Sequence, residues 1–180
     1  MPETQTKNPS FETRIPEGDN LHRQVCSDCG FVAYENPKVV VGAVVTHGDL
    51  ILLCRRAINP RSGFWTLPAG YMELHESAEA GAMREAWEEA RAKIAIDALL
   101  GAYTIPRLSQ VQLIYRARLT DPAISAGPES LDVGLFAWAD IPWDDLAFPS
   151  VRWALTHFNE VKDRTHFPAF SNPPGETGDH

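Results

Sequence analysis

Three glutamates crowd one face of a predicted helix in the middle of the chain. Glu85, Glu88 and Glu89 stand at positions i, i+3 and i+4, so they share one helical side. Like charges at these spacings destabilise an isolated helix by roughly 0.2–0.5 kcal/mol per pair. A divalent cation would reverse that penalty, and Mg²⁺ prefers carboxylate oxygens and is commonly shared with substrate phosphates. The cluster therefore indicates a metal-assisted enzyme that acts on phosphates.

The overall composition limits the classes of protein to which the chain can belong. Its 180 residues, 44% of them hydrophobic, can bury a substantial core and indicate one main domain. The formal net charge of −8 argues against nucleic-acid and membrane partners, whereas a phosphorylated small molecule stays compatible because bound cations invert the local field. No apolar run approaches the ~18 residues of a transmembrane helix, and the N-terminus lacks a signal core. With three cysteines, an odd number, these features predict a cytoplasmic protein with reduced thiols.

A loop and a helix must position the glutamates. Ser77 is a favourable N-cap, and the helix is predicted to run to about Arg91. Its alanines repeat every four residues and would let a β-sheet approach closely. Strands are predicted at residues 39–46, 50–55, 94–103, 111–119 and 133–138, and a last amphipathic helix begins at Ser150.

The spacing of the loop and helix residues resembles a known motif. Gly70, five residues, Glu76, seven residues and then REAWEE over residues 84–89 is similar to the Nudix box, G-x5-E-x7-REUxEExGU with U aliphatic. One position departs from this pattern, because Arg91 stands where the box has a glycine. That glycine helps to end the helix, so the departure concerns the helix terminus rather than the acids.

The resemblance implies a role for each residue of the motif. Divalent metal, Mg²⁺ or Mn²⁺, would be bound by carboxylates and by one backbone carbonyl, and an arginine would orient the carboxylates. The general base is assigned to Glu129, in a Gly/Pro-containing stretch suited to a mobile flap, in preference to Glu73. The bland alternative is a solvated acidic helix with ordinary pairs such as Arg84 with Glu88. The predicted metal ligands are Gly70, Glu76, Glu85, Glu88 and Glu89, and the predicted catalytic residues are Glu88, Glu89, Glu129 and Arg84.

Segments outside the box resemble one branch of the Nudix family. The runs at 14–19, 25–30, 34–38, 64–71, 127–131 and 141–148 look like the FAD/ADP-ribose diphosphatases of plants and bacteria. That branch is associated with splitting ADP-ribose to AMP and ribose 5-phosphate, and FAD to AMP and FMN. Core packing is the alternative for Trp65, and an exposed position at the end of a strand is the alternative for Arg55 and Arg56. The predicted substrate-binding residues are Arg55, Arg56, Trp65, Tyr103 and Arg107.

The N-terminal segment is similar to a zinc-ribbon leader that has lost half of its ligands. Cys26 and Cys29 form a CxxC knuckle, and His22 lies four residues upstream. A structural zinc site needs four ligands, typically from two such pairs, and the second pair is missing here. We therefore expect a hairpin held by packing, without structural zinc, while Cys54 reads as a packed thiol in a strand.

These observations lead to one overall prediction. The fold class is α+β, an α/β/α sandwich with the Nudix mixed sheet between helices. The expected organisation is a flexible N-terminus at 1–10, a degenerate zinc-ribbon-like β leader at 11–37, a hydrolase domain at 38–165 and a flexible tail at 166–180. The expected function is metal-dependent hydrolysis of ADP-ribose or FAD by a cytoplasmic homodimer with no nucleic-acid or membrane partner. The alternatives are a nucleoside triphosphate or dinucleoside polyphosphate hydrolase and a non-catalytic ligand-sensing module.

Overall fold

The structure, a computed structural model, describes residues 9–178. Within that range the chain forms two compact units that divide between Asn36 and Pro37. Most of the N-terminus predicted to be flexible, residues 1–8, lies outside the described residues, as do residues 179 and 180 of the tail. Among the described residues, no helix has the length and apolar character needed to cross a membrane.

The first unit is a small antiparallel sheet of three strands. β1 (Phe11–Arg14) pairs with β2 (Arg23–Cys26), and β2 pairs with β3 (Val32–Ala33). The tight turn after β2 is closed by the Gly30 N–H, which donates to the Cys26 carbonyl over 2.9 Å. This sheet confirms the predicted hairpin leader. Its CxxC knuckle holds one buried and one exposed thiol, both free.

The second unit is built on a mixed sheet of seven strands. Only β4 and β9 run parallel to each other among the described strand pairs, and their pairing lies at the centre of the sheet. The strand order is β10-β5-β4-β9-β8, with β6 beside β5 and β7 beside β4. The strands are β4 (Lys38–His47), β5 (Leu50–Arg56), β6 (Trp65–Thr66), β7 (Ala69–Tyr71), β8 (Ile94–Ile105), β9 (Gln110–Leu119) and β10 (Ser130–Ala137).

Two helices cover the two faces of this sheet. α1 (Ala78–Ala90) begins at Ser77, whose hydroxyl accepts a hydrogen bond from the Ala80 N–H over 3.2 Å. Its alanines pack with alternate β4 residues such as Val41 in one buried cluster, whereas α2 (Pro149–Val161) packs with Val44 in the other. Because strand side chains alternate between faces, β4 contributes side chains to both buried clusters. The predicted α/β/α sandwich is confirmed.

The end of α1 lies at Arg91, the position that departs from the motif. Arg91 adopts a left-handed conformation with φ of 51°. Its N–H donates to the Trp87 carbonyl over 2.9 Å, and the Ala92 N–H donates to the Ala86 carbonyl over 3.1 Å. The first of these bonds is that of the αL motif, in which glycine is the usual residue at the position of Arg91. The helix therefore ends where the motif predicts, with an arginine in the glycine conformation.

The segment after α2 lies along the outer edge of the sheet. The Phe170 N–H donates to the Leu100 carbonyl, and the Ala102 N–H donates to the Phe170 carbonyl, each over 2.9 Å. From the sequence we expect a flexible tail from residue 166, because the segment is polar and rich in proline and glycine. The edge of β8 offers it backbone partners that no local pattern reveals.

Candidate functional site

A large cavity opens in the second unit between the acidic face of α1 and the strands beside it. Its volume is about 990 Å³, near the upper end of the range for small-molecule sites. Carboxylates from α1 and from the loops line one side, with Glu85, Glu88, Glu89 and Glu129 among them. Arginines from the strands and turns line the same cavity, so it can bind a ligand that is both anionic and metal-associated.

The three glutamates of α1 differ in burial. Glu85 and Glu89 are only 8% and 6% exposed, whereas the side chain of Glu88 is 53% exposed. Burial raises the pKa of Glu89 to about 8, and burial also raises the pKa of Glu85 above its ordinary value. One partner of Glu89 is the Ala69 N–H, which donates to its Oε2 over 3.1 Å. A cation would compensate the charge of these buried carboxylates.

Arg84 connects the acids to one another. Its Nη1 donates to Glu85 over 2.7 Å and to Glu88 over 2.9 Å. Its Nε and Nη2 reach both carboxylate oxygens of Glu76, over 3.1 and 2.9 Å, and Nη2 also donates to the Tyr71 carbonyl over 3.0 Å. The Arg84 bond lowers the pKa of Glu76, and these partners raise the pKa of Arg84. The planar guanidinium thus fixes the loop carboxylate relative to the helix.

Gly70 brings the backbone of β7 against the acids. It pairs with Val41 in the sheet, and a Cβ atom at this position would collide with the Glu85 carboxylate. Only glycine therefore allows the strand and the buried carboxylate to lie this close. The carbonyl of Gly70 is in the region where the sequence analysis predicts a backbone ligand.

Glu129 is carried by a loop that docks on the C-terminal end of α1. The Ser125 N–H donates to the Ala90 carbonyl over 3.0 Å, and the Gly127 N–H donates to the Glu89 carbonyl over 2.9 Å. A Cβ atom at Gly127 would collide with the Glu88 carbonyl, so this approach also requires glycine. The Glu129 carbonyl accepts from the Ala57 N–H over 2.8 Å, and its exposed side chain lines the cavity.

The structure brings two of the five predicted substrate-binding residues to the cavity. Arg56 and Arg107 line it, and the Arg56 guanidinium lies 5.1 Å from the centre of the Phe148 ring. The other three are not among the lining residues. Arg55 donates to the Gly63 carbonyl over 2.9 Å, and Trp65 packs edge-on against a phenylalanine.

Tyr103 is the clearest case of a predicted site residue that lies elsewhere. Its side chain is fully buried, and its hydroxyl hydrogen-bonds with His157 Nδ1 over 2.8 Å. It therefore packs in the core beneath α2. Sequence reasoning did not select Gln112, which lines the cavity together with Val40 and Ile114. The alternation of side chains along β4 and β9 could have identified these three residues, because it places them on the face of the sheet that α2 covers.

The donor set fits a hard divalent cation. Carboxylates and a backbone carbonyl are the ligands that Mg²⁺ and Mn²⁺ take in proteins, and Glu85 and Glu89 are buried beside Gly70. Within residues 9–178 no three acidic, histidine or cysteine side chains are grouped closely enough to hold an ion as they stand. Arg84 binds three of the acids, Glu76, Glu85 and Glu88, and holds them together.

Comparison with known proteins gives matches over both units. A family model described as "NUDIX domain" matches residues 36–155, and one described as "Nudix N-terminal" zinc ribbon matches residues 8–35. A crystal structure of a NUDIX hydrolase from Nitrosomonas europaea superposes with a TM-score of 0.86 at 41% identity, over 93% of this chain and 95% of that one.

Two curated relatives add narrower similarities. A protein named "ADP-ribose pyrophosphatase" from Methanocaldococcus jannaschii is 27% identical over 72% of this chain and 74% of its own length. A "MutT-like protein" from Streptomyces ambofaciens is 39% identical over 44% of this chain. The match spans only about half, 49%, of that Streptomyces protein.

Proposed function

Because the chain belongs to the Nudix family of hydrolases, we propose that it cleaves the diphosphate of a nucleoside diphosphate linked to a second group. ADP-ribose, split to AMP and ribose 5-phosphate, is the first substrate to test, and FAD, split to AMP and FMN, is the second. The observation that carries this proposal is the wall of α1 carboxylates, of which Glu85 and Glu89 are buried, in a cavity that also contains Arg56 and Arg107.

The proposed activity requires Mg²⁺ or Mn²⁺, held by Glu85, Glu88 and Glu89 with the Gly70 carbonyl and with Glu76 from the loop. When bound, such a cation neutralises phosphate charge and makes phosphorus more electrophilic. The buried position of two of these carboxylates supports the assignment, since an uncompensated buried charge is costly.

The protein side chains supply the remaining functions. Glu129 accepts a proton from the attacking water. At the same time the water oxygen bonds to phosphorus and the anhydride P–O bond breaks. Arg56 and Arg107 bind the anionic groups of the substrate and hold the diphosphate against the acids. The exposure of the Glu129 carboxylate on the cavity wall supports its role, because a general base must reach water.

The choice of ADP-ribose is supported by the name of the Methanocaldococcus relative, and FAD by the resemblance of the flanking segments. A second candidate is hydrolysis of a nucleoside triphosphate, which the MutT-like relative favours. Both reactions use the same acid set, so they differ in the groups that the rest of the cavity must accept.

Product analysis tests these proposals directly. Purified protein is incubated with Mg²⁺ and separately with ADP-ribose, FAD and dGTP, and the phosphate esters are identified by chromatography. We expect AMP from the first two and a kcat/KM for ADP-ribose that exceeds that for dGTP. The Glu88→Gln variant should lose at least two orders of magnitude in kcat, while Glu79→Gln, an exposed acid on the same helix, keeps full activity. Formation of no AMP by the wild-type protein would reject the proposal.

We also propose that the protein works as a cytoplasmic homodimer. Support comes from the first unit, where five large apolar side chains are at least 42% exposed, namely Phe11, Ile15, Leu21, Phe31 and Tyr34. Apolar exposure of this kind marks association surfaces. Light scattering of the wild-type protein and of Phe31→Ser tests it, and a monomeric mass for the wild type would contradict it.

A further inference from the structure

The segment after α2 extends the sheet beyond the region that the family model matches. Residues 167–178 follow the matched range, 36–155, and lie along the free edge of β8. The side chain of Asn172 makes the two hydrogen bonds to β8 that the backbone of a neighbouring strand would make. Its Oδ1 accepts from the Thr104 N–H and its Nδ2 donates to the Thr104 carbonyl, both over 2.8 Å. The segment, here called the edge tail, is thus hydrogen-bonded at two successive points, Phe170 and Asn172.

Aromatic contacts hold the edge tail against the protein. The Phe170 ring stacks on His157 of α2 with centroids 4.2 Å apart and an angle of 6° between the planes. The Arg116 guanidinium lies 4.6 Å from the centre of the Phe167 ring. Stacked rings and a guanidinium over a ring face both attract, so the edge tail has anchors besides its backbone bonds.

A tight turn sends the end of the edge tail back to the cavity. The Glu176 N–H donates to the Pro173 carbonyl over 3.0 Å, and Gly175 has φ of 81°. Proline followed by glycine at the two central positions is typical of a type II turn. Gly178 then lies buried against Ile105, where an added Cβ would stand 2.5 Å from Cδ1, and it lines the cavity.

The sheet register gives the distance across the strands from Gly70, beside the acids, to β8. Gly70 pairs with Val41, Val41 with Leu113, and Leu113 with Ala102, so one row crosses β7, β4, β9 and β8. Three strand spacings of ~4.8 Å separate Gly70 from β8 by about 14 Å. A diphosphate bound at the acids therefore leaves room across the sheet for a further group of nucleoside size.

We propose that the edge tail forms the end wall of the cavity and that this wall contacts the planar base of the nucleoside half of the substrate. The proposal rests on the proposed function for the position of the diphosphate. The wall can make both kinds of contact that a nucleobase requires. Ile105, Val151 and Gly178 offer an apolar surface for the ring faces, and the Gln112 amide on the cavity floor offers hydrogen bonds to ring edges. A base seated there is recognised by size, because the Ile105–Gly178 contact closes the end of the space.

The experiment compares Asn172→Ala, which removes both bonds to Thr104, with Ser171→Ala, an exposed neighbour on the same segment. A chain ending at His166 serves as a second variant. Calorimetry measures AMP binding without metal, and steady-state kinetics with Mg²⁺ measure kcat and KM for ADP-ribose and for UDP-ribose, which carries a smaller base. We expect Asn172→Ala and the shortened chain to bind AMP about tenfold more weakly. Their KM for ADP-ribose should rise tenfold at unchanged kcat, and their preference for the adenine substrate should shrink.

Three results would overturn the proposal. These are unchanged AMP affinity in both test variants, an equal loss in Ser171→Ala, or a fall in kcat at constant KM. Because Asn172→Ala retains the whole chain, it remains informative if the shortened chain fails to fold. AMP binding needs no turnover, so a protein that hydrolyses nothing but binds AMP through the edge tail would reject the proposed function and support this inference.

Discussion

The Ala69 N–H donates to Glu89 Oε2 over 3.1 Å and thereby joins β7 to α1 beside the cavity. Glu89, which accepts this bond, is 6% exposed, and burial raises the pKa of its carboxyl to about 8. The contact thus holds β7 to α1, but it does not offset the cost of burying the Glu89 carboxyl. Stability and activity are expected to oppose each other at this residue.

Replacing Glu89 with glutamine should stabilise the metal-free protein and abolish its activity. The amide oxygen still accepts from Ala69, while the cost of holding a carboxyl whose pKa is raised by burial disappears, so the free energy of unfolding at neutral pH should rise by ~1–2 kcal/mol. Urea unfolding in EDTA measures this change. Addition of Mg²⁺ should stabilise the wild type by mass action and leave the variant nearly unchanged. A variant that is less stable than the wild type in EDTA would contradict the account of Glu89.

Arg84→Lys should weaken the response to metal although the positive charge is kept. A lysine cannot bind Glu76, Glu85 and Glu88 at once, because it lacks the planar fork of the guanidinium. We expect the Mg²⁺ concentration for half-maximal activity to rise about 10–100-fold. Titration of activity with Mg²⁺ measures it, and Arg118→Lys on the exposed side of β9 is the matched control. Equal Mg²⁺ dependence in the two variants would show that Arg84 acts through charge alone.

Arg91→Gly should stabilise the protein without loss of turnover. A side chain in the left-handed conformation costs ~1–2 kcal/mol, which glycine avoids, whereas the stacking of Arg91 on Trp87 offsets part of that cost. The net gain in the free energy of unfolding should be about 0.5–1 kcal/mol. Denaturant unfolding checks it. Arg91→Ala, which keeps the Cβ and loses the stacking, should instead be less stable than the wild type.

Gly127→Ala should separate the Glu129 loop from α1. The new Cβ would collide with the Glu88 carbonyl, which is backbone and cannot move aside cheaply. We expect a loss of ~1–3 kcal/mol in stability and a fall in kcat of more than tenfold, since the general base shifts with the loop. Ala126→Ser, at the exposed neighbouring position, should leave both values unchanged. Full activity in Gly127→Ala would remove Glu129 from the mechanism.

The parts of the structure that the sequence predicted are those set by local spacing. The acids of α1 share one face because helical periodicity requires it, and Ser77 begins the helix because its side chain caps it. The layered fold follows from strands and helices whose apolar patterns are strong. Arg84 was expected to orient carboxylates from its place in the motif, and the structure gives it bonds to Glu76, Glu85 and Glu88.

The parts that the sequence did not predict depend on contacts between distant segments. Two irregularities interrupt the pairing of β8 with β9, between Ile96 and Ala98 and between Leu99 and Gly101. Each irregularity shifts the alternation of side chains, so counting along the strand does not reveal that Tyr103 faces the core. The edge tail has no periodicity of its own and is ordered by β8, which no local rule could supply.

The central pairing of β4 with β9 also determines when the site can form during folding. β4 and β5 are neighbours in the chain and can pair early, whereas β9 joins β4 only after the whole intervening segment has been placed. The edge tail comes later still, because its partner β8 must first pair with β9. On a ribosome, the acidic helix therefore emerges well before the far wall of its cavity exists. The acids are thus synthesised long before the edge tail, the segment that we propose contacts the base of the nucleoside.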